Sequence, residues 1–329
     1  MRNSEFGIRN EPERQPEAGA HPLAQASDSA FPIPHSALED IPHSPFLIPH
    51  FLGRLRKNRK AVAGAALAGA LVLTGLLAPW LAPNDPLKQT LPNRLCGPCA
   101  KYPLGADHLG RCILSRLMYG ARVSLLVAVA VVLVTLAIGA FLGLLAGYFG
   151  GIVDRFVTAL VDLFLAFPGL ILMIVLAGIL GQGVFSLLLV LCLEGWKGAC
   201  RIVRSVVLAE KEKEFVLAAR ALGASQARVI FRHVLPGCLQ ALLVVGMLSA
   251  GNIILATAGM GFLGLGLPPP TPEWGSMIND GRFFLRTAPG LTIWPGLAIL
   301  VTILSFNVLG EGLQEVLNPR LANSGRGGR

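Results

Sequence analysis

Val123-Ser-Leu-Leu-Val-Ala-Val-Ala-Val-Val-Leu-Val-Thr-Leu-Ala-Ile-Gly-Ala-Phe-Leu-Gly-Leu-Leu-Ala-Gly147 runs for 25 residues without a charged side chain. A helix that crosses a bilayer needs about 20 predominantly apolar residues, so this stretch reads as one complete span. Working outward, Ala61 to Pro83 supplies a span before it. After it, the 45 residues 156–200 suffice for two spans joined by the tight turn Gly181-Gln182-Gly183, and further runs extend from about Gly237 to Phe262 and from Thr287 to Gly310. The expected fold is all-α: a polytopic membrane protein with six transmembrane helices and both termini on one side. Composition agrees, with 53% apolar and 14% charged residues and a mean hydropathy of +0.62, where a soluble domain carries about 25% charged residues.

The net charge of +9 does not point to nucleic acid, because long uncharged runs separate the cations and leave no basic soluble face. Its distribution sets orientation instead. With the N-terminus inside, the cytoplasmic segments hold seventeen Lys and Arg and the external loops seven, which favours cytoplasmic termini by the positive-inside rule. The expected organisation is a disordered cytoplasmic tail (1–60), a first membrane anchor (61–83), an external loop (84–118), a core (119–312) containing the cytoplasmic loop 201–235, and a cytoplasmic C-terminal tail (313–329). The first tail is polar and Pro-rich, repeats Ile33-Pro34-His35-Ser36 as Ile41-Pro42-His43-Ser44, and lacks the apolar surface to fold alone. It is too long for the n-region of a cleaved signal, so the first apolar run is expected to remain as an anchor.

Within the spans, Gly139, Gly143 and Gly147 recur at every fourth position, a spacing that lets helix backbones approach closely. Pro168 should kink its helix, since it removes a backbone donor and clashes with the preceding turn. Asp162 and Glu194 must lie inside helices near one membrane face, and Glu194 is three residues from Lys197, the spacing of an ion pair. Cys192, Cys200 and Cys238 sit in or beside apolar runs and read as small buried hydrophobes. Cys96-Gly97-Pro98-Cys99 is an external thiol pair, with an unreactive or disulfide-bonded pair, a regulatory thiol, or a metal site with His108 as the three readings. No metal site is assigned.

The loop before the fifth span reads Glu214-Phe-Val-Leu-Ala-Ala-Arg-Ala-Leu-Gly223-Ala-Ser-Gln-Ala-Arg-Val-Ile-Phe-Arg-His-Val-Leu-Pro236. Phe215, Ala218, Ala219 and Leu222 stand at i, i+3, i+4 and i+7, so a short helix presents a small apolar face. Gly223 suits a left-handed C′ position, and Ser225 can cap a second helix running to Pro236. A short helix with alanine at its centre and larger apolar residues at its ends suits a partner's groove.

This stretch resembles the EAA loop of binding-protein-dependent ABC importer permeases. From about Leu52 to Arg320 the chain resembles the dipeptide, oligopeptide and nickel permease family, in its second-permease subgroup. Three further blocks carry the likeness: Pro103 to Leu125 with its Gly-Ala-Asp-His-Leu-Gly-Arg core, Ala146-Gly-Tyr-Phe-Gly-Gly-Ile-Val-Asp154, and Phe262 to Met277. The resemblance implies the type I ABC importer permease fold and import of short peptides, with nickel or a nickel chelate as the alternative cargo. It implies that Glu214, Phe215, Ala218, Ala219, Leu222 and Gly223 form an ATPase-coupling element. The implied partners are a second permease subunit, two cytoplasmic ATPase subunits that carry ATP and Mg, an external substrate-binding protein and membrane lipid. The chain departs from the pattern at Leu217, which replaces the glutamate of the EAA triplet, at Cys112, where the family has Asp, and at Thr257, where a Glu facing the translocation path is expected.

Other classes fit poorly. No Lys follows a Gly, so the Gly-Lys of a phosphate-binding loop does not occur and ATP hydrolysis is expected on a partner; the chain itself has no catalytic residues to assign and no cofactor. A secondary transporter would favour ionisable groups near the bilayer midplane, whereas the few charges here lie near helix ends. A membrane enzyme would need a nucleophile and base within reach, and outside the tail the only histidines are His108 and His233.

Overall fold

The computed structural model describes residue 53 and residues 55–317. Most of the expected N-terminal tail and residues 318–329 lie outside the described residues. Helix α1 (Arg59–Leu76) starts at an Asn58 cap, whose side chain accepts the Ala61 N–H at 3.1 Å, so residues 59–60 belong to the membrane helix and not to the tail. A break at Leu77 leads into the short α2 (Ala78–Leu81), with Pro79 in its first turn, where its missing N–H costs nothing.

Helix α3 (Ile113–Phe149) is 37 residues long and begins ten residues before the charge-free run, so residues 113–118 are helix rather than external loop. Gly150 (φ 66°) and Gly151 (φ 57°) end it with two successive left-handed residues, a path that glycine takes without a Cβ penalty. The chain then enters α4 (Gly151–Ala166), breaks at Pro168, and leaves as α5 (Gly169–Leu180) at 85° to α4, so the expected kink is nearly a right angle. The turn at Gly181-Gln182-Gly183 opens α6 (Val184–Glu210). Then come α7 (Glu214–Ala221), α8 (Gln226–Phe262), α9 (Trp274–Gly281) and α10 (Gly290–Leu317).

Among the described residues, α1, α3, α8 and α10 are long and apolar enough to cross a membrane, and the bent pair α4–α5 makes a fifth candidate span. Helix α6 carries Glu194, Lys197, Arg201, Arg204 and Glu210 and does not meet that test, so length and composition alone do not establish the expected sixth span. Helix α10 continues past Gly310 to Leu317, which moves residues 313–317 from the expected tail into the helix.

Two seams of small residues hold the helices together. On α3, a Cβ at Gly139 would lie 2.6 Å from the Ala199 Cβ, at Gly143 2.5 Å from the Cys200 carbonyl oxygen, and at Gly147 2.8 Å from the Val207 Cβ. The glycine stripe is thus the surface on which α6 lies, the most extensive helix pairing in the fold. Helix α1 lies on α10 in the same manner, since a Cβ at Gly64 would come within 2.5 Å of the Leu309 backbone. Glu315 closes that seam by accepting from Asn58 at 2.8 Å and Lys60 at 2.7 Å. The apolar core gathers Val127, Val131, Leu187, Val190, Ile254 and Trp274. A second cluster of Val203, Val207, Val216, Val229, Val234 and Cys238 forms beneath α7.

Candidate functional site

Helix α7 has eight residues, too few to persist alone in water, where isolated helices need roughly 12–15. Val216 is fully buried among Val203, Val207, Val229 and Val234 and fastens α7 to α6 and α8, a contribution of about 1.5–3 kcal/mol for a buried aliphatic side chain. Glu214 lies in the first turn and Arg220 in the last, each complementing the helix dipole. The C-terminus closes as a Schellman motif, with Ala224 N–H donating to Ala219 O at 3.0 Å and Gly223 N–H to Arg220 O at 2.9 Å. Gly223 has φ 81°, and a Cβ there would meet no atom within 4 Å, so backbone conformation and not crowding calls for glycine.

This anchoring leaves Phe215 50%, Leu217 45% and Leu222 89% exposed, with Glu214 and Ala218 also exposed and Ala219 half-buried. The expected apolar stripe is therefore displayed, apart from Ala219, which is partly covered. Sequence reasoning missed Val216 as the anchor; the available signal was the valine pair four apart, Val203 and Val207, on the preceding helix.

Ser225 caps the following helix by accepting the Arg228 N–H at 3.4 Å. That helix does not end at Pro236, as expected, but runs into the fifth-span helix through a π turn at Ile230–Val234. Pro236 has no N–H to donate to the Arg232 carbonyl, and the Leu235 N–H reaches back to Ile230 instead.

Elsewhere the sequence candidates separate. Cys96 and Cys99 are unbonded, with sulfurs 4.0 Å apart, on a loop held by Ala106 N–H to Cys96 O at 2.9 Å and Leu95 N–H to Asp107 O at 3.0 Å. Backbone N–H groups of Tyr102 and Lys101 hold the exposed Cys99 thiol below its ordinary range, while burial pushes Cys96 up. His108 does not join them; its ring stacks on Phe284 at 5.8 Å. Thr257, expected to face the path, is 1% exposed and donates to Ile253 O at 2.8 Å, so it lines no open surface of this chain. Glu194 and Lys197 form the expected ion pair at 2.5 Å.

Two polar features escaped the sequence reading. Glu273, 1% exposed, caps α9 by accepting Gly275 and Ser276 N–H groups at 2.8 Å each. Burial pushes its carboxyl up to about 7, against those two donors, which pull it down. Asp107 accepts from Arg111 at 2.6 Å and lies 3.6 Å from Arg116, so three nearly buried charged residues join the loop before α3 to the start of that helix.

Among the described residues the fold is helical, with four or five apolar helical segments long enough to cross a membrane and the short, exposed α7 joining two longer helices, and the sequence comparisons say which membrane proteins share this sequence. Residues 139–323 match the family described as binding-protein-dependent transport system inner membrane component, and residues 49–98 match the N-terminal TM domain of oligopeptide transport permease C. The chain belongs to this family of inner-membrane permease components of ABC importers. It is 38% identical over 268 residues to the dipeptide transport system permease protein DppC of Alkalihalophilus pseudofirmus, covering 82% of this chain and 88% of the relative. It is 42% identical over 251 residues to the nickel transport system permease protein NikC of Escherichia coli K12, covering 76% and 91%. A third relative, the glutathione transport system permease protein GsiD of Pectobacterium atrosepticum, is 38% identical over 272 residues, covering 82% and 90%.

Proposed function

We propose that this permease forms half of a translocation path for short peptides, paired with a second, different permease subunit and fed by an external binding protein. Helix α7 docks on one of two separate ATPase subunits, which bind ATP and Mg and carry out hydrolysis. The observation that carries this reading is the display of Phe215, Ala218 and Leu222 beside the left-handed Gly223, with Val216 holding the helix from behind. Excess Lys and Arg on the α7 side supports cytoplasmic termini and an external Cys96–Cys99 loop.

For cargo, the relatives include permeases of dipeptide, glutathione and nickel systems, and the nickel relative is the more identical of those compared. Peptides are favoured because no His occurs within an apolar run of the sequence, which gives a metal path few imidazole ligands. Uptake by the complex reconstituted with its co-encoded subunits, offered labelled dipeptides, oligopeptides and nickel, tests the choice. Saturable peptide uptake is expected; nickel uptake without peptide uptake overturns it.

A further inference from the structure

Three cations on α6, α7 and the link between them converge on the turn that joins α3 to α4. Arg204 on α6 grips Asp154, in the first turn of α4, through two of its guanidinium nitrogens, Nε to Oδ1 and Nη2 to Oδ2, the latter at 2.7 Å. Lys211, just past the end of α6, donates to the Gly147 carbonyl in the last turn of α3 at 3.0 Å. Arg220 on α7 stands over the Tyr148 ring at 5.2 Å. Between these contacts lie Gly150 and Gly151, both left-handed, with nothing within 4 Å of a Cβ built on either. The turn is thus held at its flanks and free at its centre.

Helix α4 is arranged to follow whatever moves that turn. Only Val157 and Val161 of its 16 residues are buried, and its far end is the 85° break into α5. The bidentate Asp154–Arg204 pair fixes both distance and orientation at its start, which a single point-charge contact would not do. We propose that Asp154 and Arg204, with Lys211 and Arg220, are positioning residues that carry displacement of α7 into α4 and so into the bent α4–α5 segment. Nucleotide-driven movement then reaches the membrane through this clamp as well as along the continuous α8. The proposal rests on the reading of α7 as the ATPase-docking helix.

The test uses the complete transporter in liposomes, with three readouts: ATP hydrolysis, solute moved per ATP, and cross-linking of Leu222→Cys to the ATPase subunit. Asp154→Asn and Arg204→Lys each remove the forked pair with little change of volume. With docking and hydrolysis retained, solute moved per ATP should fall roughly two- to thirtyfold, the span expected for loss of one link in a coupling network. The reversed pair Asp154→Arg with Arg204→Asp should recover much of it. Unchanged solute per ATP in both single variants, or equal loss of hydrolysis and transport without recovery in the reversed pair, overturns the clamp and leaves docking standing. Absence of the Leu222→Cys cross-link in the otherwise unaltered transporter overturns the docking reading instead.

Discussion

Gly143→Ala is the sharpest test of the α3–α6 seam. The added methyl would lie 2.5 Å from the Cys200 carbonyl oxygen, 2.9 Å from the Val203 Cβ and 3.0 Å from the Arg204 nitrogen. Two of those atoms belong to the α6 backbone and cannot rotate away, so the helices must separate. Ordinary contact begins at 3.4 Å, and an opening of about 0.5–1 Å already forfeits a quarter to a half of the dispersion attraction along the seam. Overpacking of this kind costs about 1–3 kcal/mol. Alanine also has the better helix propensity, by roughly 1 kcal/mol, which would mask part of that loss. Gly198→Ala on α6 removes the ambiguity, because a Cβ there meets nothing within 4 Å and gains the propensity alone. The measurement is unfolding of each variant in mixed micelles, followed by fluorescence of the four tryptophans, of which Trp196 lies buried on the seam. Gly143→Ala should be less stable than Gly198→Ala by the full overpacking term, and equal midpoints for the two variants would refute close backbone contact as the basis of the pairing.

Three further outcomes are expected. Gly223→Val forces a β-branched side chain to φ 81°, a strain of about 1 kcal/mol or more, and should abolish transport while purified yield and helicity stay normal; transport at the wild-type rate removes this turn from the mechanism. The Glu273 carboxyl titrates near 7 in the folded chain, above its ordinary 4.5, so the folded state retains a proton that the unfolded state releases. Its contribution to stability is complete below about pH 4.5 and lost as pH rises through about 7, and Glu273→Gln should flatten that slope in unfolding midpoints measured across the interval. An impermeant maleimide on intact cells should label Cys99, which is exposed, and spare Ser225→Cys; the opposite pattern reverses the orientation.

Much of the helical layout was legible because lipid imposes a simple rule on sequence: charge is excluded along the length of each span. Helix ends were less legible, since that rule stops acting where water or a partner begins. Helix α3 extends beyond its apolar run through Arg116, which is tolerated beside Asp107 of the preceding loop, and α6 extends beyond its apolar run through Arg204, which finds Asp154. Neither pairing could be read from spacing, because the partners lie on different elements. The stripe Gly139, Gly143 and Gly147 was legible as a packing surface, but not which helix it would receive. The α7 segment was readable because its signals are local, in the apolar spacing, Gly223 and Ser225. Val216 was not, because its burial depends on valines of α6 and α8. Helix α9 was missed for a similar reason: its cap, Glu273, is a buried carboxyl in a segment that reads as a Pro-rich loop.

The departure at Leu217 acquires a definite meaning in this setting. A glutamate there would place a charge on the outer surface of α7, where it could bond to a polar partner group or to the loop itself. The leucine is 45% exposed and has Ala218 and Ala221, both exposed, beside it on the helix. Together with Phe215 and Leu222 it widens the apolar face instead of adding a polar contact. Helix α7 owes its position to Val216, the Arg220–Tyr148 contact and the Schellman turn, none of which involves residue 217. The substitution therefore alters what the exposed face of α7 offers without loosening how the helix is held. A complementary ATPase surface should be apolar opposite Leu217, since a buried, unpaired polar group there would cost about 1–3 kcal/mol. Leu217→Glu should accordingly weaken docking to the native ATPase partner while leaving the folding of this chain unchanged, and tighter docking would show that the partner has kept a polar group for the missing carboxylate.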